Sequence, residues 1–166
     1  KEQIQSKCSN KTKILVLNFP SNPTGSTYNR EELMQIAKVA QEKDLIVISD
    51  EIYDKIVYSG IKHVSFPELS NDAKERTILV NGVSKTYSMT GWRIGYAAGN
   101  PKVISAMSNL SGQSTSNPTS ISQKAAIEAF SGTQEKVKEM LAEFETRKNY
   151  ISSYLNEIKD IKCFVP

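Results

Sequence analysis

Residues 14–50 read ILVLNFPSNPTGSTYNREELMQIAKVAQEKDLIVISD, and their pattern decides the fold. Ile14 to Leu17 is a short apolar run bounded by polar residues, the mark of a buried strand. Pro20, Pro23 and Gly25 then enforce a turn. Asn29, with Glu32 three residues on, reads as a capping box that opens a helix. Leu33, Ile36, Ala37 and Ala40 follow at helical spacing on one face. Leu45 to Ile48 is a second apolar run, closed by Asp50 and Glu51. Strand, helix and strand over this length make a βαβ unit, which predicts a parallel sheet covered on both faces.

The pattern continues outward. Thr77 to Val80 predicts a third strand, and Ile94 to Ala98 a fourth, close enough in sequence to run antiparallel. Asn100-Pro101 caps and opens a helix whose apolar positions include Val103, Met107 and Leu110. Gly112 to Ser116 reads as a polar loop, and a further helix is expected over Ile121 to Phe130. Thr133 is the expected cap of a long helix carrying Val137, Met140, Leu141, Phe144, Ile151, Leu155 and Ile158 along one stripe and reaching toward Lys159. Residues 1–13 are polar and carry no predicted element. The chain stops at Cys163-Phe164-Val165-Pro166 as an apolar segment begins, so a piece of a longer protein is expected.

Composition narrows the function classes. A hydrophobic share of 39% against 23% charged residues is that of an ordinary globular protein with a sizeable core. The net charge of +3 is weak and its lysines and arginines are dispersed, so no nucleic-acid footprint is present. Cys8 and Cys163 form no CxxC and no Cys/His cluster, so no metal is expected. Reduced thiols and a cytoplasmic setting are expected. No apolar run approaches a membrane span, and no signal-peptide pattern opens the chain.

Asn22, Asp50, Lys85 and Arg93 all follow predicted strands, and in open α/β sheets the ligand crevice lies beyond the strands' carboxyl ends. Separate loops would therefore bring these side chains to one edge. Lys85 stands in GVSKTYSMTGWRIGY, residues 82–96, with Arg93 eight positions on. Most lysines are solvated surface groups. Here the second cation would disfavour the ammonium, leaving an amine able to attack a carbonyl as a Schiff base. An apolar strand ending in Asp50-Glu51 also suggests a magnesium-holding strand of a nucleotide hydrolase. That reading requires an upstream GxxxxGK[ST] cradle, which the chain lacks. Plainer readings stand beside each site residue: Asn22 as a turn former, Asp50 as a cap, Tyr53 as core packing, Arg93 in a surface ion pair. Trp92 reads as structural. His63, the single histidine, reads as a surface bystander in a loop.

Taken together, SNPTG (21–25), SDEIY (49–53) and GVSKTYSMTGWRIGY, in this order, resemble the class I pyridoxal-phosphate aminotransferases. The lysine segment matches that family's signature at Gly82, Ser84, Lys85, Ser88, Met89, Gly91, Arg93, Ile94 and Gly95. The stretches TGWRIGYAAGNPKVISAM (90–107) and QSTSNPTSISQKAAIEA (113–129) resemble its bacterial-type aspartate aminotransferase subgroup. The likeness runs from about Ile14 to the end.

The resemblance implies an α/β fold: part of the large domain of a fold-type-I enzyme, a mostly parallel sheet flanked by helices, with a long C-terminal helix. Residues 1–132 would form the central part of the cofactor-binding domain, and 133–166 the helix leading to a small domain. Pyridoxal 5′-phosphate would be the cofactor, and an amino acid, aspartate foremost, and a 2-oxo acid the substrates. Lys85 would bind the cofactor covalently and then move the substrate proton. Asp50 would pair with the pyridine nitrogen. Tyr53 and Asn22 would bond the ring oxygen, with Asn22 also near the substrate. Arg93 would grip the phosphate, with Ser84 as its neighbour. Gly82 stands where some members carry a phosphate-binding serine. A homodimer is implied, and the polar stretch Gln113–Asn117 would lie near its interface. The motifs fix the cofactor better than the reaction, so a related lyase or decarboxylase stays open, as does a structural piece without activity. The carboxylate-clamping arginine and the ring-stacking aromatic find no place among these residues.

Overall fold

In the computed structural model, which describes residues 1–58 and 60–165, three parallel strands and one antiparallel strand form a single sheet. The strands β1 (Ile14–Asn18), β2 (Ile46–Asp50), β3 (Thr77–Gly82) and β4 (Gly95–Ala98) lie side by side in sequence order. Parallel register sets Asn18 beside Asp50, and Asp50 beside Val80. The carboxyl ends of β1, β2 and β3 therefore share one edge. β4 starts at that same edge, with Gly95 opposite Gly82.

Between β1 and β2 runs α2 (Arg30–Glu42), opened by the expected capping box: Asn29 accepts from the Glu32 amide, and Glu32 accepts from the Asn29 amide. Its inner face brings Leu33, Ile36, Ala37 and Ala40 onto Leu17, Leu45 and Val47 of the sheet region. Phe19, Phe66, Leu69 and Ala73 complete this core. Burying each large aliphatic or aromatic side chain here contributes roughly 1.5–3 kcal/mol before chain entropy is set against it. Strand alternation sends Ile14, Val16 and Ile46 to the opposite face, where Val16 is 65% exposed. On that face Ile14, Val16 and Ile46 stay exposed, so the expected second cover does not extend over them in this chain.

The remaining elements are α1 (Glu2–Lys7), α3 (Asn71–Arg76), α4 (Pro101–Ser114), α5 (Ser120–Ser131) and α6 (Glu135–Glu157). Four differ from expectation. The polar opening segment forms α1, which sets Ile4, with Cys8 just beyond it, against the core. The helix α3, unforeseen, is capped by the Ser70 hydroxyl accepting from the Ala73 amide. The supposed loop at Gly112 is still helical: α4 runs on to Ser114, and the chain turns at Ser116, whose φ is 63°. The long helix is preceded by Gln134 rather than Thr133. It stops at Glu157, where the Asn156 side chain both accepts from the Cys163 amide and donates to its carbonyl. Among the described residues no helix is long and apolar enough to cross a membrane.

Candidate active site

Two turns and one short helical segment converge beyond the sheet's carboxyl edge. The first turn follows β1. The Ser21 amide donates to the Ser26 carbonyl at 2.9 Å and the Gly25 amide to the Ser21 carbonyl at 2.8 Å, which closes a tight loop presenting Asn22. Gly25 takes φ 70°, a left-handed conformation suited to glycine. The second turn follows β2. Asp50 Oδ1 accepts from the Ile52 amide at 3.2 Å, and the Ile56 amide donates to the Tyr53 carbonyl at 2.8 Å, so the backbone winds around Tyr53.

The third piece follows β3. The Tyr87 amide donates to the Val83 carbonyl and the Met89 amide to the Ser84 carbonyl, making one helical turn around Lys85. Val83 is buried with Ile94 and Ala126, and Tyr87 and Met89 pack against them, so α5 supports the turn from behind. The Tyr87 hydroxyl donates to Gln134 Oε1 at 3.2 Å, and burial, with the Asp54 charge as a lesser cause, pushes its phenol pKa up. Gly82 is required by close approach: a Cβ there would lie 2.8 Å from the Ile94 carbonyl oxygen. The serine that some aminotransferases carry at this point does not fit this backbone as it stands.

These pieces enclose a cleft of about 620 Å³, within the range of small-molecule sites. Asn22, Tyr53, Ser84 and Lys85 all line it. Asn22 Nδ2 lies 3.5 Å from the Tyr53 hydroxyl, a long hydrogen bond. Lys85, half-buried, holds its Nζ 5.7 Å from the Tyr53 ring centroid, within cation–π range. Among the described residues Lys85 is the single charged one in the lining, which also includes Ile56, Val57, Ile61 and Phe144. Asp50 and Arg93 lie outside the lining. Arg93 is exposed, follows a 3-10 turn with φ 54°, and donates from Nη1 to the Thr90 carbonyl at 2.8 Å. Trp92 is 43% exposed.

Behind the site lies a group that the sequence reading missed. Glu51, next to Asp50, is 2% exposed. Its carboxylate accepts from Ser49 Oγ at 2.8 Å and the Phe66 amide at 3.0 Å, and pairs with His63 Nε2 at 2.8 Å. Burial works to raise the Glu51 pKa. The hydrogen bonds from His63, Phe66, Ser49 and Ser65 together outweigh it and hold the carboxyl below its usual range. His63 is therefore no surface bystander: its side chain is 10% exposed. Strand alternation could have pointed to Glu51, since it sends Glu51 to the face opposite Asp50, into the core, where a carboxylate needs partners; nothing local pointed to His63.

The donor set suits an anionic, aldehyde-bearing pyridine: an amine and two neutral donors in the cleft, with a carboxylate and a guanidinium on the adjoining strand end and turn. Among the described residues no three His, Cys, Asp or Glu side chains group as a metal site.

Comparison with known proteins agrees. The family model "Aminotransferase class I and II" matches residues 1–166. The chain is 51% identical to an aspartate aminotransferase of Bacillus sp. (strain YM-2) and 52% identical to one of Bacillus subtilis (strain 168). Each match covers 99% of this chain and 42% of the relative. Among solved structures, an aspartate aminotransferase from Rhizobium meliloti superposes with a TM-score of 0.96 at 38% identity, over 99% of this chain and 42% of that one. The chain thus spans well under half the length of these relatives.

Proposed function

The chain belongs to the class I and II aminotransferases, and on that premise we propose that it forms the cofactor-binding core of an enzyme that moves an amino group between L-aspartate and a 2-oxo acid. The observation that carries this is Lys85, presented in the cleft against Tyr53 and Asn22. Pyridoxal phosphate is the family's cofactor; when bound it supplies an electron sink for negative charge at the substrate Cα.

The residues divide the work. Lys85 would hold the cofactor through its aldehyde group, with loss of water, and its amine, when free, would take and return the proton at the substrate Cα. The Asp50 carboxylate would hold the proton on the pyridine nitrogen. Tyr53 and Asn22 would donate to the ring's 3′ oxygen, with Asn22 also near the substrate. Arg93, which here donates to the Thr90 carbonyl, would hold the phosphate together with Ser84. Aspartate as donor rests on the names of the relatives.

The activity is that of the full-length protein, with residues 1–132 in its cofactor-binding domain and α6 leading out of it. Among the described residues that line the cleft, Lys85 is the one that is charged. The 166-residue chain alone, which spans 42% of its relatives' length, is expected to show no turnover. A homodimer in the cytoplasm fits the family, and sedimentation of the active full-length protein at the dimer mass is expected.

The test is turnover of aspartate and 2-oxoglutarate by the full-length protein. Matched formation of oxaloacetate and glutamate supports the reading. Carbon dioxide or ammonia release without glutamate would instead make it a lyase.

A further inference from the structure

We propose that the buried Glu51–His63 pair is a latch that positions both cofactor-facing turns, so that Glu51 and His63 are positioning residues for a site neither of them touches. The inference rests on the cleft being the cofactor site.

The pair stands at a junction. Glu51 is covalently next to Asp50 and two residues before Tyr53. Its amide donates to the Val80 carbonyl at 2.9 Å and its carbonyl accepts from the Asp54 amide at 2.9 Å, so Glu51 is fixed by backbone as well as by side chain. His63 holds Glu51 with one edge and lays its ring against Phe19 with its face, centroids 5.4 Å apart and planes 32° apart. Phe19 leads directly into Pro20, Ser21 and Asn22, and its amide donates to the Asp50 carbonyl at 3.1 Å. One imidazole therefore braces the turn bearing Asn22 and the turn bearing Tyr53. It also anchors the far end of the segment whose Ile56, Val57 and Ile61 wall the cleft.

The chemistry of the pair favours a geometric role. A buried carboxylate is costly, and replacing a whole buried ion pair by apolar side chains of similar volume is often neutral or stabilising. What the carboxylate adds is direction: donors converge on it from separate parts of the chain, among them Ser49, His63 and Phe66. Among the described residues, buried His63 Nδ1 has no hydrogen-bond partner. The Glu51 carboxylate accepts, so Nε2 is the donor and the bond has one direction, as a positioning device requires.

The full-length protein provides the test, with two readouts. His63→Phe keeps a ring against Phe19 and removes the bond; His63→Gln restores an N–H near the Nε2 position. In cofactor titrations of the cofactor-free protein, His63→Phe should weaken pyridoxal phosphate binding by about tenfold or more, and His63→Gln should recover to within about threefold of wild type. Amide hydrogen exchange of the cofactor-free protein should quicken in residues 20–25 and 51–57 in His63→Phe and stay unchanged in β1. Wild-type affinity in His63→Phe, equal weakening in both variants, or faster exchange in one turn alone would overturn the latch. If His63→Phe does not fold, Glu51→Gln decides: about tenfold weaker binding is expected, and unchanged binding overturns the proposal. A wild-type protein that binds no cofactor would refute the assigned function, while the exchange comparison would still decide the latch.

Discussion

Lys85 Nζ lies 5.7 Å from the centroid of the Tyr53 ring, so the lysine that follows β3 meets the tyrosine that follows β2 across the cleft. The contact needs both parallel register and the turns beyond it. Lys85→Ala in the full-length protein is expected to abolish amino transfer. The side chain is half-buried at a cleft rim, so the loss of stability should stay near ~1 kcal/mol. Turnover assays and urea denaturation measure the two effects separately; a variant that keeps its activity would remove Lys85 from the chemistry.

Asp50→Asn preserves volume and the acceptor for the Ile52 amide, but removes the charge that we propose holds the pyridine proton. A fall in kcat/KM of about two to three orders of magnitude, ~3–4 kcal/mol, is expected. Near-normal kinetics would show that another group serves the ring nitrogen.

Gly82→Ala tests the close approach of β3 and β4. The new methyl would sit 2.8 Å from the Ile94 carbonyl oxygen and 3.0 Å from Gly95 Cα, both backbone atoms with little freedom to retreat. A destabilisation of about 1–3 kcal/mol, read from the urea midpoint, is expected. An unchanged midpoint would mean that the strands part without cost.

Glu51 sets an acid limit. Its folded pKa is depressed, so its contribution to stability is present above the unfolded glutamate value of ~4.3 and is lost as pH falls from there through the lower folded value. Asp72, held down chiefly by its bond from Arg76, adds in the same direction. Denaturation midpoints should decline below about pH 5, and Glu51→Gln should flatten part of that decline. Parallel curves for the two proteins would contradict the depressed value.

The βαβ unit was legible because each of its signals is local: apolar runs, a capping box and an i, i+3, i+4 stripe. Lys85 and Asp50 were legible as strand-end residues within ordered motifs. The hidden parts depend on tertiary partners. Helix α1 is held by Ile4 and Cys8 against the core, which no periodicity in a six-residue polar helix announces. The extension of α4 past Gly112 shows that a glycine without a left-handed requirement does not end a helix. His63 looked like surface because its partner, Glu51, lies twelve positions away and its burial is imposed by Phe19 from another strand's end. Arg93 shows the opposite limit. Its place in a motif was plain, but its guanidinium lies on the Thr90 carbonyl, outside the cleft lining.

The assignment of Lys85 is tested most directly by borohydride reduction of the cofactor-loaded full-length protein, followed by mass mapping of its peptides. Reduction makes permanent whichever nitrogen holds the cofactor's carbon. The expected result is one modified peptide spanning residues 82–96 with the pyridoxyl mass on Lys85. Label on another lysine with Lys85 unmodified would contradict the account.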